Sequence, residues 1–295
     1  KRRPQDGRFK TEIGKDEVEL RVSTVPTAFG EKVVIRVFDP AVLKQSLTDL
    51  GFFPRELTLY ENMIRRPNGM VLITGPTGSG KTTTLYSTLN HIASPRVNIC
   101  TLEDPIEMVQ EQFNQMAMQP KIGFTFGTAL KNVLRQDPDV VMVGEIRDPD
   151  TAENAVQAAL TGHLVFSTLH TNDAASAVSR LLDLGVFPFL VSGVLTGVVA
   201  QRLVRKICVG CAADEALTNE QIDALNIRGA EGRQLRVKRG RGCVRCRGTG
   251  YRGRTGVFEV LPITPRVRTL IQSRASSQDI KREALNDGML TLREY

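Results

Sequence analysis

Apolar and polar positions alternate along residues 16–22 (DEVELRV) and 32–38 (KVVIRVF), the period of two that marks half-buried β-strands. The intervening TVPTAFGE supplies Pro26 and Gly30 as turn residues, so the two runs predict paired strands in a small β-rich module. Two strands seldom support a fold by themselves. The preceding RRPQDGRF reads as the middle of a domain, which makes a truncated N-terminus the expectation. Over residues 40–68 the apolar positions Leu47, Leu50, Phe53, Leu57, Leu59 and Met63 form an amphipathic pattern, which predicts a helical connector.

From residue 69 short uninterrupted apolar runs take over. Residues 70–74 read as a buried strand, followed by a glycine-rich turn and by Leu85, Leu89 and Ile92 at helical spacing. Further apolar runs at 97–102, 140–143 and 163–169 are mostly separated by helical segments. Strands alternating with helices imply βαβ units and a mostly parallel sheet covered on both faces. The helix before the last run is expected to open on a capping pair, Asp150 with Glu153, and to stop at Gly162. Residues 208–254 break the pattern with cysteines, glycines and arginines; their polar 212–226 stretch predicts a helix or two. After residue 255 a shorter helical tail resumes, with Ile280, Ala284 and Leu285 at helical spacing. The expected division is 1–39, a partial N-terminal module; 40–68, a connector; 69–207, an α/β core; 208–254, a cysteine module; and 255–295, a C-terminal helical segment.

With 41% hydrophobic and 24% charged residues of both signs, the chain can bury real cores and is not a disordered polycation. Its longest apolar stretch, 189–200, is interrupted by Ser192, Gly193, Thr196 and Gly197 and falls short of the roughly 20 residues a membrane helix needs. The start KRRPQDGRFK has no apolar stretch after it, so it is no signal peptide and a cytoplasmic location is expected. The net charge of +7 is local: residues 233–254 hold nine Lys or Arg and no acid, which leaves −2 for the rest. Nucleic acid is the obvious partner for such a stretch. However, its only aromatic residue is Tyr251 and the chain has no Trp, so the stacking platform of single-strand binders is missing. Anionic lipid or an acidic protein at a membrane face fits the cations equally, and a plain solvated loop stays open.

Residues 75–82, GPTGSGKT, satisfy GxxxxGK[ST] between a strand and a helix. Gly75, Gly78 and Gly80 let successive backbone N–H groups point inward at a helix N-terminus; Lys81 reaches β- and γ-phosphates, and Thr82 can hold Mg2+. Pro76, Thr77, Ser79 and Thr83 complete the expected ATP-binding stretch. Acidic groups for magnesium and for an attacking water are offered at two strand ends, Glu103 with Asp104 and Glu145. The strand-end position that commonly carries Asp is Gly144 here, so Glu145 is expected to reach magnesium through a water. His170 ends another strand and is expected at the same sheet edge as Lys81, within reach of a γ-phosphate, whereas His163 begins that strand and belongs to the opposite edge. His91, far along the P-loop helix, is expected to be structural.

Cys208, Cys211, Cys243 and Cys246 form two CxxC pairs. Two such turns give the tetrahedral four-thiolate arrangement of structural zinc, with no open position for catalysis. Redox cysteines are the competing reading. Cys100 stands alone on a buried-looking strand and reads as core.

GPTGSGKTTTLY, TLEDPIE, LRQDPDVVMVGEIRD and TGHLVFSTLHTNDA, in this order and spacing, resemble the Walker A, Asp box, Walker B and His box of the secretion ATPase superfamily, which powers type II secretion and type IV pili. RPQDGR, RVSTVPTAFGEKVVIR, QRLVRKIC and the two CxxC pairs extend the likeness over nearly the whole chain, toward the type II secretion and pilus-extension members in particular. The resemblance implies an α/β fold: a RecA-like P-loop motor domain with an N-terminal PAS-like α+β module and a four-cysteine zinc insertion. It implies a homo-hexamer that hydrolyses Mg-ATP, peripheral at the cytoplasmic face of the inner membrane, with platform and recruitment proteins as partners. It further implies that Glu103 helps activate water, Glu145 organises Mg2+, His170 senses the γ-phosphate, and Arg21 and Arg36 deliver positive charge; Lys131 and Arg135 are weaker candidates. Which of Glu103 and Glu145 is the general base stays open. By resemblance, AVSRLLDLGVFPFL and GVVAQRLVRK lean toward secretion. A RecA-like nucleic-acid translocase and an ATP-regulated zinc scaffold without turnover are the alternatives.

Overall fold

The computed structural model describes residues 3–13, 16–38, 43, 45–225 and 235–295. It divides into two compact units, Lys1–Arg202 with Phe258–Tyr295, and Leu203–Val257.

The first unit opens on an antiparallel sheet of three strands, β1 (Gln5–Ile13), β2 (Asp16–Thr27) and β3 (Gly30–Phe38), in that order. The expected pair is thus a triplet. Pro26 also proves to be no turn residue: it lies in β2 opposite Glu31, and the turn narrows to Ala28 and Phe29. Among the described residues this segment contributes strands only. Phe9, Val33, Ile35 and Val37 stay exposed on it.

The connector contains a short 3-10 turn, Leu47–Leu50, and α1 (Pro54–Ile64), whose Tyr60, Met63 and Ile64 are buried. Then β4 (Gly69–Thr74) is buried at every residue and leads through the glycine-rich turn into α2 (Lys81–Ile92). β5 (Ile99–Glu103), β6 (Asn114–Ala117), α3 (Phe126–Val133), β7 (Val140–Val143), α4 (Pro149–Leu160), β8 (Leu164–Leu169), α5 (Ala174–Asp183), α6 (Pro188–Val194) and β9 (Leu195–Ile207) follow. The cap of α4 is Asp148, which accepts from the Thr151 N–H, so the expected pair Asp150/Glu153 is corrected by two residues. The reason is Pro149: its fixed φ and missing donor suit the first helical position, which makes its predecessor the cap.

In the second unit β10 (Ala212–Ala216) pairs with β11 (Arg236–Gly240), with α7 (Asn219–Leu225) between them. Residues 212–226 therefore begin as a strand and not as a helix, because a partner strand some way along the chain satisfies their backbone. β12 (Tyr251–Pro262) corrects the tail in the same way; α8 (Pro265–Gln272) and α9 (Ser277–Asn286) come only after it.

The central sheet has the order β12-β9-β4-β8-β7-β5-β6. Its ladders from β9 to β6 are parallel. Alternate residues of β4 enter different cores: Val71 and Ile73 pack with α1 and α2, and Met70 and Leu72 with α3 to α6, α8 and α9. Burial on both faces is why these strands read as continuous apolar runs. No helix among the described residues is long and apolar enough to cross a membrane.

Candidate nucleotide site and cysteine cluster

Because β4, β5, β7 and β8 are parallel, their C-terminal ends share one sheet edge, and the loops at 75–80, 104–113, 144–148 and 170–173 gather there, as open α/β sheets arrange their ligand sites. The turn after β4 is built on Gly75, Gly78 and Gly80, all at positive φ. At Gly75 the requirement is also steric: a Cβ would stand 2.6 Å from both Gln201 O and Ser79 Oγ. The turn is fastened from below by the buried Gln201, whose Nε2 donates to Ser79 O at 2.6 Å and whose Oε1 accepts from Thr84 Oγ1 at 2.8 Å. Ser79 Oγ is itself buried and has no hydrogen-bond partner among the described residues.

Lys81 curls over this turn, donating to Gly75 O at 2.7 Å and Pro76 O at 3.3 Å. Burial, countered by Glu145 and reinforced by Arg202, holds its amine below the usual lysine range. An ammonium half-withdrawn from water, over inward-curled glycines and a helix N-terminus, is chemistry suited to phosphate. Thr82 is exposed at the start of α2, with Thr83 beside it.

Glu145 accepts from Arg147 Nε at 2.5 Å and lies 3.4 Å from His170 Nε2. Lys81, Glu145 and His170 are thus brought together. Gly144 precedes Glu145 in a tight place: a Cβ there would approach Leu102 O to 3.2 Å. Glu103 is differently placed. It is buried, and its oxygens accept from Tyr86 Oη at 2.6 Å, Thr101 Oγ1 at 2.7 Å and Gln115 Nε2 at 3.0 Å. Burial and the Glu103 carboxylate push the Tyr86 phenol upward, so it remains a donor.

Arg21 ion-pairs with Glu107. In the strand register Arg21 faces Arg36 on β3 and Arg8 on β1, so three guanidinium-bearing residues form a row across the sheet, and Arg36 shares Arg21's face. Like charges in such a row repel unless anions intervene. Lys131 pairs with Asp150 at 3.2 Å, and Arg135 lies in the turn after α3. His163 Nδ1 sits 2.9 Å from Ala158 O at the opposite edge, while His91 occupies the last turn of α2. Cys100 is buried.

Sequence reasoning did not single out Gln201, Arg202, Tyr86 or Arg8. Arg202 donates to Asn172 O at 2.8 Å and to Gln201 O at 3.0 Å, tying β9 to the loop that follows His170. QRLVRKIC carried only a resemblance, since the partners of Gln201 and Arg202 lie far away in sequence.

In the second unit the four Sγ atoms of Cys208, Cys211, Cys243 and Cys246 lie within 4.8 Å of one another. Cys208–Cys243, Cys211–Cys246 and Cys243–Cys246 are separated by 3.9, 3.8 and 3.7 Å. A tetrahedron of thiolates at the usual zinc–sulfur distance has edges of about 3.8 Å, whereas a disulfide is much shorter. The N–H groups of Cys243 and Gly250 donate to Cys246 Sγ at 3.1 and 3.2 Å, as a ligating thiolate requires. The basic stretch is resolved into parts. Lys238 pairs with Asp214 at 2.8 Å and Arg239 with Glu215 at 2.7 Å, Arg205 stacks on Tyr251 at 4.0 Å, and Arg233 lies outside the described residues.

The whole chain, residues 1–295, matches the family described as type II/IV secretion system protein. It is 50% identical over 294 residues to the type IV pilus assembly ATPase TfpB of Acinetobacter baylyi, covering 99% of this chain and 50% of that protein. It is 48% identical over 288 residues to the type II secretion system protein E of Pseudomonas aeruginosa, covering 98% and 57%. The chain thus spans about half the length of these curated relatives. Among solved structures, the pilus retraction motor PilT with bound ADP is similar at a TM-score of 0.61 and 26% identity, over 99% of this chain and 76% of that one. The Legionella pneumophila ATPase DotB shares the fold at a TM-score of 0.68 and 21% identity, over 98% and 71%.

Proposed function

The chain belongs to the type II/IV secretion system protein family, and from that membership we propose that it is the ATP-hydrolysing motor portion of a protein that drives pseudopilus or pilus assembly. The observation that carries this reading is the gathering of Lys81, Glu145 and His170 at the sheet edge beside the P-loop. Lys81 exchanges the carbonyls of Gly75 and Pro76 for phosphate oxygens, and the backbone N–H groups of residues 75–83 cradle the same group. Thr82 and Glu145 hold magnesium, which offsets phosphate charge. His170, now 3.4 Å from Glu145, has the nearer claim on the γ-phosphate. Glu145 or Glu103 orients the attacking water; Glu103 already accepts three hydrogen bonds, which leaves about one acceptor site for it.

Arg21 and Arg36 bring positive charge toward phosphate from a PAS-like module, and Lys131 and Arg135 serve a neighbouring site. In this reading six copies assemble at the cytoplasmic face of the inner membrane, against platform and recruitment proteins. The four cysteines hold a structural zinc; their sulfur separations of 3.7–3.9 Å support it. Relatives named for secretion and for pilus assembly match at 48% and 50% identity, so the shared step, ATP-driven assembly of a pilus-like fibre, is the function proposed. Phosphate release from Mg-ATP tests it. Glu145→Gln should lower turnover on the order of a hundredfold while a fluorescent ATP analogue still binds; unchanged turnover would sink the assignment.

A further inference from the structure

The second unit exposes an apolar side chain on each of its two cysteine turns. Val209 and Val244 each follow the first cysteine of a CxxC turn and are 91% and 95% exposed. The two turns touch beside these valines: a Cβ on Gly210 would stand 3.2 Å from Arg245 Cδ and 3.7 Å from Cys243 Sγ. Arg241, Arg245 and Arg247 flank the second turn in sequence and Arg252 and Arg254 follow on β12; all five are exposed, and none forms an ion pair among the described residues. The acids Asp214 and Glu215 are spent on Lys238 and Arg239 along the β10–β11 hairpin. Two almost fully exposed valines beside unpaired guanidiniums gain nothing from water.

We propose that this pair of turns docks on an anionic lipid surface, with Val209 and Val244 entering the boundary between headgroups and acyl chains. The five arginines bind lipid phosphates through paired N–H donors. The two valines are almost fully exposed and the cations come from separate segments of chain, which suits a deformable anionic interface; a protein would need a fitted pocket for each valine. Single-stranded nucleic acid is disfavoured because Arg205 already covers one face of Tyr251, the only aromatic ring between residues 203 and 257. The inference rests on the zinc reading for the shape of the turns, and metal analysis of the same sample tests that reading separately.

The test is flotation of the chain with phosphatidylcholine vesicles that do or do not contain phosphatidylglycerol. Binding should require the anionic lipid and weaken with salt. Each of Arg245→Gln and Arg252→Gln should reduce it about fivefold. Val209→Asp with Val244→Asp should abolish it with zinc content unchanged, and the corresponding serine pair replaces it should the aspartates expel the metal. Val109→Asp, at an 82% exposed valine of the other unit, should float like the parent. Equal flotation with both vesicles, or full flotation of the zinc-loaded double variant, would overturn the proposal. So would binding to polyglutamate or oligo-dT that falls with the valine changes while vesicle binding does not.

Discussion

Lys81 is stabilised for a ligand at the expense of the free fold. Its folded pKa lies below the ordinary lysine value because burial outweighs the attraction of Glu145. A lysine depressed in this way binds fewer protons folded than unfolded, so stability rises as pH climbs through the folded pKa toward the unfolded one, and the charged amine is a net burden below that window. Lys81→Met should therefore leave the nucleotide-free melting temperature at pH 7 unchanged or slightly higher, while phosphate release is lost. Differential scanning fluorimetry beside a phosphate assay checks both, and a fall of several degrees would show that the amine's bonds to Gly75 O and Pro76 O outweigh its desolvation. Glu103 is held differently, with three donors around a buried carboxylate. Spacing alone placed both acids at strand ends, but it could not tell the caged one from the one beside Lys81.

Element boundaries follow capping chemistry that a short window can misread. Asp148 accepts from Thr151 N at 2.8 Å and from Thr151 Oγ1 at 3.0 Å, closing the N-terminus of α4 one residue after Arg147. Asp148→Ala should cost about 1 kcal/mol, a fall of about 2–4 °C in the first unit's melting temperature, and Asp148→Asn should recover most of it. Asp150→Ala is the control, since Asp150 is not the cap; a larger loss there would reverse the assignment. The buried strands β4, β7 and β8 were legible because burial on both faces leaves a continuous apolar run. β1, β10 and β12 were not. Their residues alternate weakly, and what makes them strands is a partner elsewhere: Arg8 opposite Arg21, Asp214 opposite Lys238, and the sheet edge beside β9. The P-loop was legible from its glycines, whereas Gln201 and Arg202, which hold it from β9, carry no local signature.

The two compact units differ in what can hold them folded. The first has apolar cores on both faces of its sheet. Within Leu203–Val257 the buried apolar side chains among the described residues are Cys208 and Cys246, both members of the sulfur cluster. Hydrophobic burial therefore contributes little there. The close approach of Gly240 to Gly250, where a Cβ on Gly240 would stand 2.0 Å from Gly250 O, must be held by something else. Zinc on four thiolates can supply on the order of 10 kcal/mol of folding free energy. Removing the metal with a strong chelator, or replacing Cys246 by Ser, should thus abolish amide-exchange protection over residues 208–216 and 236–250 while β4 and β8 keep theirs. Hydrogen exchange followed by mass spectrometry resolves the two sets of peptides. Protection that persists over 236–250 in demonstrably metal-free protein would mean that backbone pairing suffices for this unit. Parallel loss in β4 would mean that the cores of the first unit do not stand without it, although every residue of both core clusters belongs to that unit.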